Sequence, residues 1–225
     1  MKTSFFEQLQ ASTEPQRLQL MQVPQLAEAL EGNTSVESYI AYLTQAYHHV
    51  RHTVPFLMSM GARLPDRNNW MQGAVAEYIE EEQGHEQWIL NDISAAGGDA
   101  DKAKESAPDL ATQLLVAYNY DHIARKNPVG FLGMVYMLES TSIAIATQGA
   151  QQLQGALGLP VEAFSYLLSH GTVDEEHIVF YQKLVDQIDN EEDKAEVVEV
   201  AGNSFILFSR VFASIPHAGG YAHVA

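Results

Sequence analysis

Apolar residues recur along most of this chain at intervals of three and four, which is the spacing of one face of an α-helix. This pattern predicts helices over residues 3–12, 16–30, 34–60, 70–96, 109–126 and 129–156, from 160 onward, and from 190 to 214. No stretch alternates apolar and polar residues as a convincing strand would, and no internal repeat is visible. The chain is therefore predicted to be all-α and to fold as a multi-helical bundle.

Local signals indicate where several of these helices begin, bend and end. The stretch from Thr34 to Glu37 has the form of a capping box, and Pro55 is expected to bend the helix that this box opens. The other expected boundaries are a break near Pro15, a loop over 61–69, a stop at Gly97-Gly98, a charged linker over 99–108, and starts at Asn127-Pro128, Pro160 and Asn190.

The expected organisation is one domain. Residues 1–32 are predicted to form N-terminal arm or lid helices, residues 35–214 the core bundle, and residues 215–225 a loosely held Gly/Ala-rich tail. With 225 residues and 46% hydrophobic content, the chain can bury a core of ordinary size. Its longest nearly apolar run, Gly130 to Leu138, is far short of the roughly 20 residues that span a bilayer, and no secretory signal is visible. We expect a soluble, cytoplasmic protein without a membrane partner.

Composition narrows the chemistry before any motif is considered. The chain has no cysteine, which excludes disulfides, iron–sulfur clusters, thiolate zinc sites and a cysteine nucleophile. A bound metal would therefore have nitrogen and oxygen ligands. The formal charge is −17 with 12 Lys and Arg residues, so nonspecific attraction to nucleic acid or to an anionic membrane is disfavoured.

The most informative stretch is His170-Gly-Thr-Val-Asp174-Glu-Glu-His177. Its spacings of four and three place His170, Asp174 and His177 on one stripe of about two helical turns. Apolar residues at helical spacing flank the stripe, so it is expected to border the buried side of its helix. A solvated acidic face with two incidental histidines is the competing interpretation.

Two other helices offer ligands of the same kind. Glu82 lies three residues before His85 and Glu81 four, so either carboxylate can meet an ion together with that imidazole. Glu139 lies within the most apolar helix, where a carboxylate is costly unless a cation, an ion pair or a hydrogen bond compensates it. The predicted metal ligands are Glu82, His85, Glu139, His170, Asp174 and His177.

Three histidines and three carboxylates suit two divalent ions, and a helical bundle without thiolates favours iron or manganese over structural zinc. Two ferrous ions would leave about one net positive charge and open positions for an anionic substrate or an oxygen-derived ligand. The predicted design is therefore catalytic rather than structural.

The order of these motifs resembles the heme-oxygenase-like diiron oxidases and oxygenases, a superfamily that also contains the thiaminase TenA, the quinone-cofactor oxidase PqqC and the chlamydial protein CADD. The resemblance covers roughly residues 35–212, and the 170–177 motif is its most specific part. It implies a heme-oxygenase-like helical bundle, two Fe(II) ions with Mn as the alternative, no heme, and a homodimer. The implied activity is oxidation of a small organic acid, amine or amino-acid-like substrate by dioxygen.

The resemblance also implies roles for the ligands. Glu82 and His85 would bind one iron, Glu139 would bridge or bind beside it, and the 170–177 triplet would complete both sites. Some members place the first glutamate seven residues before the histidine, where this chain has Tyr78. That departure leaves Glu81 or Glu82 as the first ligand, with Glu82 preferred.

Several alternatives remain open at this point. A TenA-type thiaminase is disfavoured because that chemistry uses a cysteine, and heme oxygenase because no proximal histidine can be assigned near the start of the first core helix. PqqC-like oxidation without a cofactor could use the histidines as acid and base groups. A metal- or ligand-binding regulatory protein on the same fold is the non-enzymatic alternative.

A ferritin-like diiron bundle is a further alternative. It would use Glu37, Glu82 with His85, Glu139, and Asp174 with His177, but it would leave His170 idle. His48 and His52 share a helix face and are weaker candidates for a pocket or supporting role. His217 and His223, in the tail, are not counted as ligands.

Overall fold

The structure is a computed structural model that describes residues 3–217, except for the side chains of residues 170–176. Within this range the chain is helical and has no strand, so the all-α prediction is confirmed. The α-helices are α1 (Phe5–Met21), α2 (Pro24–Leu30), α3 (Val36–Val50), α4 (Thr53–Gly61), α5 (Gln72–Glu82), α6 (His85–Ala95), α7 (Ala100–Glu105), α8 (Leu110–Arg125), α9 (Leu132–Leu157), α10 (Ser165–Val185) and α11 (Glu191–Ser214). Short 3-10 helices cover Asp66–Met71, Pro128–Phe131 and Val161–Phe164.

Side-chain caps define several of these helix starts. The Asn190 side chain accepts a hydrogen bond from the Asp193 amide at 3.0 Å, and the Asn127 side chain accepts one from Val129 at 3.0 Å, as the sequence predicts. At the start of α3 the cap is Ser35, one residue later than the predicted capping box begins. Such shifts are small because each cap depends only on its own few residues.

The N-terminal helices differ from their prediction. The expected break near Pro15 is absent, and α1 continues through this proline to Met21. Phe5, Phe6 and Leu9 are buried in the core, and α1 packs mainly against α11. This packing offsets the hydrogen bond that proline cannot make. The predicted linker over 99–108 likewise contains a short helix, α7, which Asp99 caps.

Two predicted long helices are interrupted. The 34–60 helix divides at Arg51 and His52. In a continuous helix the Arg51 carbonyl would accept a hydrogen bond from the N–H of residue 55, but Pro55 has no N–H. The 70–96 helix divides at Gln83 and Gly84, after a 3-10 helix has replaced its first residues. The expectation of one continuous helix over 70–96 is therefore wrong.

Helix α9 is the central element, as its apolar sequence indicates. It packs against α10, α11 and α2, and most of its first half is buried. The segment Pro128–Leu157 and helix α11 are both long and apolar enough to cross a membrane by length and composition alone. Their most apolar windows are 67% and 50% buried inside the structure, as is typical of core helices. The expectation of no membrane partner stays a prediction.

A buried carboxylate ties the start of α11 to two other elements. Asp193 accepts hydrogen bonds from Arg67 at 2.7 Å, Asn68 at 3.1 Å and Asn127 at 2.8 Å. Burial alone raises the pKa of Asp193, but these donors outweigh burial and leave its pKa below the ordinary value. This junction fixes the segments that lead into α5 and α9.

The described beginning of the predicted tail is packed on the bundle. Ile215 is buried, and the carbonyl of Pro216 accepts a hydrogen bond from the Ser38 hydroxyl at 2.6 Å. His217 lies 3.2 Å from the Glu28 carboxylate of α2. These contacts hold the segment more firmly than its composition indicates; residues 218–225, including His223, lie outside the described residues.

Candidate metal centre

The break between α5 and α6 shapes the first half of the candidate site. Gly84 has φ 93°, a left-handed conformation that glycine adopts without steric cost, and it begins α6 at His85. Glu82 is the last residue of α5, and its Oε2 lies 3.0 Å from Nδ1 of His85. The two predicted ligands are therefore brought together across a turn rather than along one helix.

The second half of the site joins α5 to α10. Oε2 of Glu81 lies 3.1 Å from Nε2 of His177, and this histidine is only 5% exposed. Glu81 and Glu82 thus contact different histidines, so the structure places both carboxylates at the candidate site. Both also lie at the carboxyl end of α5, where the helix dipole disfavours negative charge. A cation at this position would relieve that unfavourable arrangement.

Glu139 approaches the same region from α9. It is 6% exposed, and its neighbour is the buried Tyr78 of α5. Burial, followed by the nearby charge of Glu139, raises the pKa of Tyr78 well above the ordinary value. The ring of Tyr78 also lies 6.2 Å from the ring of His177. Tyr78 is therefore a neighbour of both Glu139 and His177.

Sequence reasoning did not assign a role to Tyr78 or to Trp88. The signal for Tyr78 was its position, seven residues before His85, where some members of the resembling superfamily have a glutamate. Trp88 is half-buried and stacks on His85, with ring centroids 4.1 Å apart and an interplanar angle of 27°. This stacking fixes the plane of the imidazole. In the sequence, the three-residue spacing of His85 and Trp88 indicates that the two rings share one helix face.

The start of α10 is anchored by Asp92, a fully buried residue of α6. The carboxylate of Asp92 accepts hydrogen bonds from the amides of Ser165 at 3.1 Å and Tyr166 at 2.9 Å, and from the Ser165 hydroxyl. Because α6 begins with His85 and α10 carries His177, this contact sets the two histidine-bearing helices relative to each other.

Two predicted ligands cannot be placed. His170 and Asp174 lie in α10, but their side chains are outside the described residues. Among the side chains that are described, no group of three or more His, Asp and Glu residues is arranged to hold an ion by itself. The described ligands form the two histidine–carboxylate pairs, with Glu139 beside Tyr78.

The weaker candidates lie elsewhere. Nε2 of His48 is 2.9 Å from the Ser106 hydroxyl, and Nδ1 of His52 is 3.1 Å from the Tyr120 hydroxyl. Both histidines therefore face the region of α7 and α8. Glu37 lies in the first turn of α3.

The described groups fit iron by their chemistry. Two imidazoles and three carboxylates supply nitrogen and oxygen ligands, which suit ferrous iron and manganese. Several carboxylates in a partly buried region repel one another unless a cation compensates their charge. The break at Gly84 and the acidic end of α5 are local features that weaken a helix, and such features concentrate at functional sites.

Comparisons with known proteins agree with this fit. A family model described as "Iron-containing redox enzyme" matches residues 40–206. A domain of unknown function with a heme oxygenase-like fold from Shewanella denitrificans OS217 has 25% identity and a TM-score of 0.85, covering 96% of this chain and 93% of that one. A comparison with curated proteins gave no match.

More distant structures share the fold. A TenA homologue from Pseudomonas syringae pv. tomato DC3000 has 10% identity and a TM-score of 0.78, covering 92% of this chain and 91% of that one. Heme oxygenase-1 from Synechocystis, in complex with heme, has 14% identity and a TM-score of 0.71, covering 93% and 91%. The resemblance inferred from the motifs is thus confirmed, and the chain belongs to the family of iron-containing redox enzymes with a heme-oxygenase-like fold.

Proposed function

We propose that this protein is a non-heme diiron oxidase or oxygenase, which uses dioxygen to oxidise a small organic acid, amine or amino-acid-like molecule. The proposal rests on one observation at the carboxyl-terminal part of α5. There Glu82 pairs with His85, Glu81 pairs with His177, and Tyr78 lies beside the buried Glu139. Membership in an iron-containing redox family supports it.

Glu82, His85, Glu139 and His177 would hold iron, and His170 and Asp174 are the remaining members of the predicted set. Bound iron would supply dioxygen binding and one-electron redox chemistry. The surrounding residues pack against these ligands: Tyr78 lies beside Glu139, and Trp88 stacks on His85.

Water is kept from one side of the site by aromatic packing. The ring of Tyr78 packs edge-on against Phe180, with centroids 5.3 Å apart. Tyr181, which is fully buried, donates a hydrogen bond to the Leu132 carbonyl at 2.8 Å. A dry wall of this kind strengthens electrostatic interactions inside a site and limits side reactions.

The partners and location follow from the sequence expectations. We propose dioxygen and a small molecule as substrates, action in the cytoplasm as a homodimer, and no nucleic-acid or membrane partner. The formal charge of −17 supports the last point.

The test is iron loading without oxygen, followed by exposure to oxygen. Wild type should bind about two ferrous ions per chain, as a diiron bundle requires, and should then consume dioxygen with a change in visible absorption. His177→Ala should lose at least one of the two ions and the oxygen-dependent change. His48→Ala is the matched control, because His48 is also buried but lies against Ser106.

Failure of wild type to take up iron would overturn the proposal. In that case the pairing of each histidine with a carboxylate favours a second function, oxidation without a metal, in which the imidazoles move protons. Iron binding without oxygen consumption would instead indicate a regulatory metal-binding protein.

A further inference from the structure

Tyr78 lies on the same face of α5 as the two carboxylates of the candidate metal centre. It is three residues before Glu81 and four before Glu82, which is the spacing of neighbours on a helix surface. Its ring centroid is 6.2 Å from that of His177 on α10. Glu139 of α9 and Glu82 are the carboxylates that act on its phenol electrostatically. The phenol is therefore placed among candidate ligands from three helices.

Tyr78 also shares a cavity with two of these ligands. The cavity is largely apolar, has a volume of about 150 Å³ and is enclosed mainly by α2, α3, α9 and α11. Tyr78, Glu82 and Glu139 all belong to its lining. The three oxygen-bearing side chains thus border one shared space, as ligands of a common centre must.

The hydroxyl of Tyr78 is buried and has no hydrogen-bond partner among the described residues. The residue is only 2% exposed, and a buried hydroxyl without a partner is unfavourable. Tyr181, which is also buried, instead donates to the Leu132 carbonyl at 2.8 Å. The bundle can therefore supply a partner to a buried phenol, and the different state of Tyr78 indicates that its partner is something the site binds.

Iron is a suitable partner for this phenol. Burial and the charge of Glu139 raise the pKa of Tyr78, so the phenol stays protonated without a cation, but a multivalent ion reverses this balance and displaces the proton. Tyrosine is an established protein ligand of iron, and its anionic oxygen is a hard ligand. Oxidation of each ion from ferrous to ferric adds a positive charge, which an ionised phenol compensates.

We propose that Tyr78 is a further ligand of the metal centre and that its ionised oxygen binds ferric iron. When this bond forms, the phenol O–H bond breaks and the proton leaves to solvent, while the oxidation state of the iron is unchanged. The inference rests on the proposed function in one respect only, which is that the centre binds iron. It explains the buried hydroxyl, and it adds a ligand to the predicted set.

Loading with ferric iron tests this assignment without turnover. Iron-free protein would be titrated with ferric nitrilotriacetate, and visible absorption and resonance Raman spectra would be recorded. A phenolate bound to ferric iron absorbs visible light by charge transfer, and Raman excitation within that band enhances the vibrations of the tyrosine ring. Wild type should show both signals. The enhanced vibrations should shift in protein produced with ring-deuterated tyrosine.

Tyr78→Phe and Tyr136→Phe form a matched pair of variants. Tyr136 of α9 is also buried, and its hydroxyl also has no partner in the described part of the chain. Its ring packs edge-on against Phe6 and Phe205, and it does not line the cavity. Tyr78→Phe should abolish the charge-transfer band and weaken ferric binding, measured against a competing chelator, by about tenfold or more. Tyr136→Phe should retain the band and the affinity.

Thermal unfolding of iron-free protein separates a ligand from a residue with a structural role. Removing a hydroxyl that has no protein partner should leave the midpoint of Tyr78→Phe unchanged or raised. If this variant does not fold, 3-fluorotyrosine incorporated at position 78 keeps nearly the same size. Its electron-withdrawing fluorine should move the charge-transfer band to shorter wavelength, and an unshifted band would assign the ligand to another tyrosine.

The inference is overturned if wild type takes up no iron, if ferric-loaded wild type shows no tyrosine vibrations, or if the band survives Tyr78→Phe. Failure of the proposed function gives a different pattern. Iron uptake with oxygen consumption but without the charge-transfer band would remove only the assignment of Tyr78. A band that depends on Tyr78, in a protein whose ferrous form consumes no oxygen, would remove only the oxidase function.

Discussion

Replacing Asp92 tests whether a single buried carboxylate aligns the two histidine-bearing helices. Asp92→Asn keeps the shape of the side chain but removes its charge and one acceptor oxygen. The amides of Ser165 and Tyr166, together with the Ser165 hydroxyl, then compete for one carbonyl oxygen. At least one donor at the start of α10 loses its partner.

The cost follows from these bonds. Hydrogen bonds to charged groups contribute about 1.5–3 kcal/mol, and Ser165 and Tyr166 are half-buried, so their amides recover part of this from water. We expect Asp92→Asn to lower the free energy of unfolding by about 1–2 kcal/mol and Asp92→Ala by about 3 kcal/mol. At roughly 2–4 °C per kcal/mol for a chain of this size, the alanine variant should melt about 6–12 °C lower.

The assay is thermal and urea unfolding of iron-free protein, followed by iron titration. Because burial raises the pKa of Asp92, the measurement belongs at mildly alkaline pH, where the carboxylate is ionised. Asp186→Asn is the matched control: this aspartate also accepts from a helix-start amide, that of Phe6 at 2.8 Å, but it is exposed. Its substitution should change stability by less than about 0.5 kcal/mol.

The reasoning is refuted if Asp92→Asn is no more destabilising than Asp186→Asn. A destabilised Asp92 variant that binds iron with unchanged affinity would retain the structural role but refute the alignment of the histidines.

Three further predictions concern other residues. The donors around Asp193 hold its pKa low, so Asp193→Asn should lower the free energy of unfolding by about 2–3 kcal/mol at neutral pH. A lowered pKa stabilises the fold only while the carboxylate is ionised. Urea unfolding should therefore show a smaller difference between variant and wild type below about pH 4. Trp88 fluorescence should change on titration with ferrous ions, and Trp88→Phe should abolish that change while leaving the signal of the other tryptophan. Gly133→Ala should lower the free energy of unfolding by about 3 kcal/mol or more, because its Cβ would lie 2.3 Å from the Val197 carbonyl oxygen. Gly155→Ala is the control, because the space around its Cβ is open. In urea unfolding it should be neutral or stabilising by about 0.5–1 kcal/mol.

Local sequence signals determined much of the helical framework. The periodicity of residues 109–126 and 190–214 closely matches α8 and α11, and the caps at Asn127 and Asn190 are present as predicted. The missing break at Pro15 is a different case, because packing against α11 compensates a proline that is locally unfavourable. Periodicity and caps depend on neighbouring residues, so they are readable without knowledge of the rest of the chain.

The site shows both kinds of information. The acidic end of α5 and the isolated Glu139 within an apolar helix are visible in the sequence, because buried charge is costly wherever the helix packs. The break at Gly84 was missed because one glycine costs a helix only about 1 kcal/mol, and tertiary contacts can decide either way. The continuous pattern on both sides favoured an unbroken helix.

Only the tertiary structure decided which groups meet. The contact of Glu81 with His177, the position of Tyr78 beside Glu139 and the apolar cavity next to them all join residues that are far apart in the sequence. A helical pattern shows which face of each helix is buried, but not the partner of that face, because the partner depends on how several helices pack together. The types of candidate ligand and the local pair of Glu82 with His85 were therefore determined by the sequence. The pairing of Glu81 with His177 was decided by the packing of the helices that carry them.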